Sequence, residues 1–319
     1  MIVSRDQNWT GIGWKDLAAV LARLEAGADP ESGAYFPERP LHAAAMYGSP
    51  EVVAELARRV SDVDAELDGH TALWAAVFAN RPGNARALAA AGADPWRPMM
   101  NGWSPGRLSL ATPTPDLFPS PEFRNGLSAE DVAAVATARH LITTLGQPLD
   151  DGFSLACVGG VTAAEVTRRL NAEPINEDEL DLLEEDLESE DALAVVGVTD
   201  VPGGCVIYQP WAYGASFPLL VRLVSAGTVC YGMYANPKSG NQGVVARDGT
   251  IEDSDTHPGG GSPYAQDSTQ EILATYLYQG YAAPYCFAGA GLRPDDNASI
   301  SENVDGWLRL PERDWWAHR

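Results

Sequence analysis

Two apolar segments 32 residues apart constrain this chain more than any other feature in it. Pro40-Leu41-His42-Ala43-Ala44, followed by Gly48 and Val52-Val53, is answered by Thr71-Ala72-Leu73-Trp74-Ala75-Ala76, followed by Ala85 and Leu88. Gly27-Ala28-Asp29-Pro30 and Gly92-Ala93-Asp94-Pro95 form a second pair, 65 residues apart, or two periods. Two independent landmarks thus agree on one period. A period of this length belongs to helical hairpins stacked in an array, each too small to bury its apolar face alone.

The period and the Pro-Leu-His-Ala-Ala core resemble the ankyrin repeat, and that resemblance implies a module that binds protein partners rather than one that performs chemistry. Leu17, Val20, Leu21 and Leu24 recur at helical spacing after Trp14, so the first hairpin ends at the Gly27-Ala28-Asp29-Pro30 turn. The second repeat is expected over 40–64 and the third over 71–95. Asp68-Gly69-His70-Thr71 and Asn101-Gly102-Trp103-Ser104-Pro105 fit the turn that introduces a repeat, with Gly for the tight bend and a hydroxyl to cap the helix. After Pro105, Gly106-Arg107 stand where Leu-His is expected, which makes the fourth repeat incomplete or remodelled. In arrays of this kind the turn tips and first-helix faces form the binding surface. That places Leu67, His70, Trp74 and Phe78 on a partner-binding stripe, extended by Trp96, Arg97, Met99, Met100 and Trp103, residue types enriched in binding hot spots. The competing reading buries these same side chains against the next repeat or the second domain.

Four prolines within 111–121 exclude a helix there, and Ser128-Ala129-Glu130-Asp131 then opens a long one that ends near Gly146. From about Asp151 the texture changes to short apolar segments divided by Gly and Pro. Strands are expected over 153–158, 192–198, 205–208, 219–224, 227–234 and 243–247, with helices opening at Thr162 and Ser268. The fold class is therefore α+β overall, a helical repeat stack followed by a mixed α+β domain. The expected organisation is 1–110 repeats, 111–148 proline-rich connector and capping helix, and 149–319 α+β domain of unknown function. Cys157-Val158-Gly159-Gly160-Val161-Thr162, Gly203-Gly204-Cys205-Val206, Gln209-Pro210-Trp211 and Leu223-Val224-Ser225-Ala226-Gly227-Thr228 resemble an uncharacterised actinobacterial domain over roughly 150–280. The resemblance implies a fold boundary and carries no catalytic residue.

Charge narrows the partners. The formal charge is −23, and 11 of the 19 residues from Glu173 to Asp191 are Asp or Glu with no basic residue among them. Such a field repels nucleic-acid phosphate and anionic membrane surfaces and favours a basic partner or none; a solvated segment that keeps the protein soluble is the plainer account, with an acidic docking surface or mimicry of a DNA backbone as the alternatives. Leu180, Leu182, Leu183 and Leu187 within the run point to an amphipathic helix anchored on one side. There is no apolar run long enough for a bilayer, and Arg5 and Asp6 stand where a signal peptide needs apolar residues. A cytoplasmic location is expected. Only Lys15 and Lys238 are lysines, a bias that fits a GC-rich bacterial genome.

Candidate chemistry is sparse. If 253–257 is extended, alternation puts Asp253, Asp255 and His257 on one side, as a divalent metal needs; a polar surface turn is the plainer account. Cys157, Cys205, Cys230 and Cys286 lie in apolar segments without zinc spacing and read as buried, reduced thiols. Pairing of Cys230 or Cys286 with His257 as a nucleophile has no support in spacing. Asn236-Pro237-Lys238-Ser239-Gly240 lacks the residue order of a phosphate loop and reads as a connector. No cofactor is expected. The function expected is non-catalytic protein binding, as an adaptor, inhibitor or immunity-type protein with an acidic surface. The alternative is a metal-dependent or small-molecule-processing enzyme with its site in the C-terminal domain.

Overall fold

Proline sets the helix starts of the first third of the chain. Pro40, Pro50, Pro82 and Pro105 each occupy the first turn of a helix, where the missing N–H has no partner to lose. The computed structural model describes residues 9–32, 39–119, 126–146, 151–184, 186–187, 189–264, 266–301 and 303–317, apart from the side chains of 184 and 255. It contains α1 (Leu17–Glu25), α2 (Pro40–Tyr47), α3 (Pro50–Ala57), α4 (Ala72–Phe78), α5 (Pro82–Ala90) and the one-turn α6 (Pro105–Ser109). A longer helix, α7 (Ala129–Leu145), follows. Helices α2, α4 and α6 stack in one row, and α1, α3 and α5 in a second, which is the arrangement that the 32-residue period requires.

The stack is held by more than apolar contact. Asn84, 3% exposed, donates its amide to the carbonyls of Ala45 (2.9 Å), Gly48 (3.1 Å) and Ala44 (3.3 Å), so a side chain of one repeat satisfies the helix end of the repeat before it. Arg81 adds a bond to the Met46 carbonyl at 3.0 Å.

After α7 come β1 (Ser154–Gly159), α8 (Ala163–Leu170), β2 (Glu173–Ile175), α9 (Glu177–Glu184), α10 (Glu190–Leu193), β3 (Val195–Val201) and β4 (Gly204–Gln209). The rest is α11 (Pro218–Val224), β5 (Val229–Asn236), β6 (Gly240–Arg247), β7 (Thr250–Thr256), α12 (Thr269–Leu277), α13 (Ala282–Ala290) and β8 (Gly306–Arg309). The strands form one antiparallel sheet in the order β2-β8-β3-β4-β1-β5-β6-β7. β1 is buried along its whole length. Ala156 and Val158 of β1 join the α8 and α11 side chains in the main core, while α13 packs against β1 and β5.

Three sequence expectations change here. Residues 219–224 are a helix rather than a strand: Pro218 starts it, and Leu220, Val221 and Val224 line its buried side. Six residues, five of them apolar, are too short a run to distinguish the two periods. The acidic stretch is not one helix but β2, α9 and α10. Leu183 is buried beside Ala192 and Val195, whereas Leu182 is 68% and Leu187 37% exposed, so the anchoring is narrower than four leucines. Strand β8 and helix α13 had no counterpart among the expected elements.

By contact the chain divides into two units, Met1–Ala133 with Pro263–Leu277, and Ala134–Ser262 with Tyr278–Arg319. The first boundary falls inside α7, and α12 is a member of the repeat unit. Among the described residues no helix is long and apolar enough to cross a membrane.

Asn84→Ala leaves the helix-end carbonyls of α2 buried without their donor. It is expected to lower stability by about 2–3 kcal/mol in urea titrations, against less than about 0.5 kcal/mol for exposed Arg86→Ala on the same helix.

Candidate interaction surface

Asp68-Gly69 and Asn101-Gly102 form matching turns. Both residues of each pair have positive φ (49° and 80°; 43° and 81°), the backbone of a tight hairpin, which Asp or Asn followed by Gly adopts at least strain. Leu67 and His70 exchange backbone bonds of 2.9 and 3.1 Å across the first turn, and Met99 N–H donates to the Trp103 carbonyl at 2.8 Å across the second. Thr71 and Ser104 then cap α4 and α6 by accepting from the Trp74 and Arg107 N–H groups. His42 ties the repeats together: its Nε2 lies 3.1 Å from the His70 carbonyl, to which it donates.

The nine stripe residues fall into three groups. Trp74, Met100 and Trp103 are interior, at 2%, 4% and 0% exposure, which corrects the expectation that they face a partner. The second group is half-buried and already engaged. Phe78 packs against Tyr276 of α12 at 5.7 Å, Trp96 donates to the Pro119 carbonyl at 3.2 Å, and Arg97 pairs with Glu66 at 2.6 Å. Leu67, His70 and Met99 form the third group, equally half-buried but at the turn tips. Glu66 and Asp68 stand beside the first tip as exposed side chains, and burial raises the Asp64 carboxyl above its ordinary value.

The remodelled fourth repeat has a physical cause. A Cβ at position 106 would lie 2.8 Å from the Trp96 ring and from the Pro95 carbonyl, so only glycine permits that packing. The next residue, Arg107, lies 4.2 Å over the Trp103 ring and pairs with Asp131 at 2.9 Å. Asp131 also closes the α7 cap with Ser128, accepting its N–H at 2.9 Å and donating its own to the Ser128 hydroxyl at 3.0 Å. Burial pushes the Asp131 carboxyl up, but the Ser128 bonds and the Arg107 guanidinium together hold it below the usual carboxylate range. Segment 263–277 completes this end. The Trp103 indole donates to the Thr269 carbonyl at 3.0 Å, Asn101 donates to the Asp267 carbonyl at 3.1 Å, and Ile272, Leu273 and Tyr276 are buried. Sequence reasoning missed the segment because its partners lie about 160 residues away; its one local signal, the Ser268–Glu271 capping box, marks a helix but not its destination.

The candidate metal residues belong to the second unit. Asp253 is exposed on β7, the side chain of Asp255 lies outside those described, and His257 is exposed with Nδ1 3.2 Å from the Asn241 carbonyl. Val245 pairs with Asp253 but Gly243 with Thr256, so a bulge interrupts the alternation that would align the three. Among the described residues no group of three or more His, Cys, Asp or Glu is placed to hold a metal. All four cysteines are buried and free. Burial pushes the Cys205 thiol up to about 12 and those of Cys157, Cys230 and Cys286 higher still, which is contrary to a thiolate nucleophile.

Two rows of stacked helices joined by paired turn tips define a helical-repeat interaction module. Residues 14–99 match the family model of ankyrin repeats, in three copies. A comparison with curated proteins finds no match.

Burial lowers the His42 imidazole from 6.5 to about 4, and burial lowers His70 as well. The folded repeats therefore favour neutral rings. The stability this provides is complete above about pH 6.5 and is lost as pH falls toward 4, because the unfolded chain takes up the proton first. For His42 the loss is on the order of 3 kcal/mol. Urea midpoints should fall between pH 7 and pH 4.5, and the slope should flatten in His42→Asn.

Proposed function

We propose that the protein is a non-catalytic binding protein, an adaptor, inhibitor or immunity-type partner in the cytoplasm, whose repeats hold a basic protein. Ankyrin repeats are protein-interaction modules, and their presence supports the general reading. The observation that carries the finer one is the pair of turn tips. Leu67, His70 and Met99 are half-buried at the tips, and Asp68 and the Arg97-paired Glu66 stand beside the first of them as exposed carboxylates. An apolar centre within a negative rim suits a partner that presents an apolar side chain among Lys or Arg. Most of the remaining stripe is committed within the chain, so the working surface is narrower than nine residues and centred on the tips. The net charge of −23 accelerates encounter with a basic target and disfavours nucleic acid.

A photo-crosslinking side chain placed at Leu67, His70 or Met99 is expected to capture the same protein from native lysate, with capture reduced by added salt. One placed at exposed Arg86 on α5 should not. Equal capture from Arg86, or capture only of acidic proteins, would overturn the reading.

A further inference from the structure

The face of β5 and β6 is only partly covered. Near β5's start the cover is close: a Cβ on Gly232 would lie 2.9 Å from Val221 of α11 and 2.9 Å from Val244 of β6. Toward the β5–β6 turn the helix has ended, and the strands run on past it. The space left open is a cleft of about 640 Å³, within the range of small-molecule sites.

Its lining separates into two kinds. One wall is aromatic. Tyr213 lies 5.7 Å from Tyr234 and 5.6 Å from Trp316, and Trp316 stands edge-on to Phe217 at 5.2 Å while remaining 56% exposed. A tryptophan so placed is held by its neighbours yet offers surface to a ligand. The other wall is polar. Asn236 donates its amide to the Gln242 carboxamide oxygen diagonally across the strand pair at 3.1 Å, and Lys238 stands at the turn. Lys238 is the only lysine between Asp16 and Arg319, in a chain of net charge −23.

We propose that this cleft binds a saccharide carrying a single carboxylate. Aromatic surface suits the apolar C–H face of a pyranose ring. Carboxamides both donate and accept, as sugar hydroxyls require. One lysine matches one carboxylate. A phosphate ligand is disfavoured because the cleft lining includes neither an arginine nor a helix N-terminus of eight residues or more to cradle it. The aromatic rings are packed on each other rather than around a common point, so they do not form a cage for a cation.

The test is calorimetry of the full chain with aldotriouronic acid, a trisaccharide with one uronate, against neutral xylotriose and uridine monophosphate. The uronate should bind, xylotriose about tenfold more weakly, and the nucleotide more weakly than the uronate. Trp316→Ala should weaken the uronate about tenfold, and Lys238→Ala should reduce its affinity to that of xylotriose. Both side chains are exposed, and an unchanged thermal midpoint verifies the fold; Lys238→Ala decides alone if Trp316→Ala does not fold. No uronate binding at millimolar concentration, preference for the nucleotide, or unchanged affinity in Lys238→Ala would overturn the proposal.

Discussion

An array of helical hairpins has open ends, and the far end of this one governs the repeat unit. The last helix of the α2–α4–α6 row, α6, is a single turn with no second helix among the described residues before α7, so the apolar surface beneath it needs another cover. Trp103 is that surface. It is fully buried because Arg107 lies over its ring and Thr269 takes its indole N–H. The departures from the repeat pattern follow from the same need. Gly106 admits the Trp96 ring, Arg107 reaches the Asp131 cap of α7, and Tyr276 occupies the side of Phe78. What reads in sequence as a degenerate repeat is a terminal cap assembled from three distant parts of the chain.

The same arrangement shows why some of the fold was legible in sequence and some was not. Repeat period, proline starts, hydroxyl caps and Asp-Gly or Asn-Gly turns are local, and each specifies its own conformation within a few residues. Helix α7 could be placed for this reason, and so could the strands around Cys157, Cys205 and Cys230. Residues 218–224 could not, because a short apolar run satisfies both periods and its burial depends on a sheet formed elsewhere. Strand β2 is three residues long with a proline in its centre, and only its pairing with β8 makes it a strand. For the interaction surface, the residue types were informative but their depth was not. Trp74 and Trp103 have the composition of hot spots and the burial of core; nothing in the sequence separates them from Leu67 or Met99.

The sheet unit distributes its polar groups differently from the repeats. Gln209 is wholly buried, with its amide shared among the carbonyls of Val195 (2.7 Å), Leu193 (3.1 Å) and Ala192 (3.3 Å) and its oxygen receiving the Gly214 N–H. One side chain thus fixes the end of α10, the start of β3 and the turn after β4, as Asn84 fixes adjacent repeats. In both units an amide, able to donate and accept, replaces what an ion pair would do at greater desolvation cost. Most charges lie at the surface, and the buried carboxylates Glu55 and Asp131 are each paired with arginine.

The order in which the chain is made gives the returning segment a temporal meaning. The repeats leave the ribosome early, but Thr269 and Tyr276 follow well over a hundred residues later, after most of the sheet. At bacterial or eukaryotic synthesis speeds that interval is on the order of ten seconds. During it the Trp103 end of the array has no α12 to cover it, and a nascent chain is open to chaperones or to a neighbour with a spare apolar helix. The array is finished only after strands β1 to β7 have been made, so its maturation reports that most of the sheet has already been synthesised.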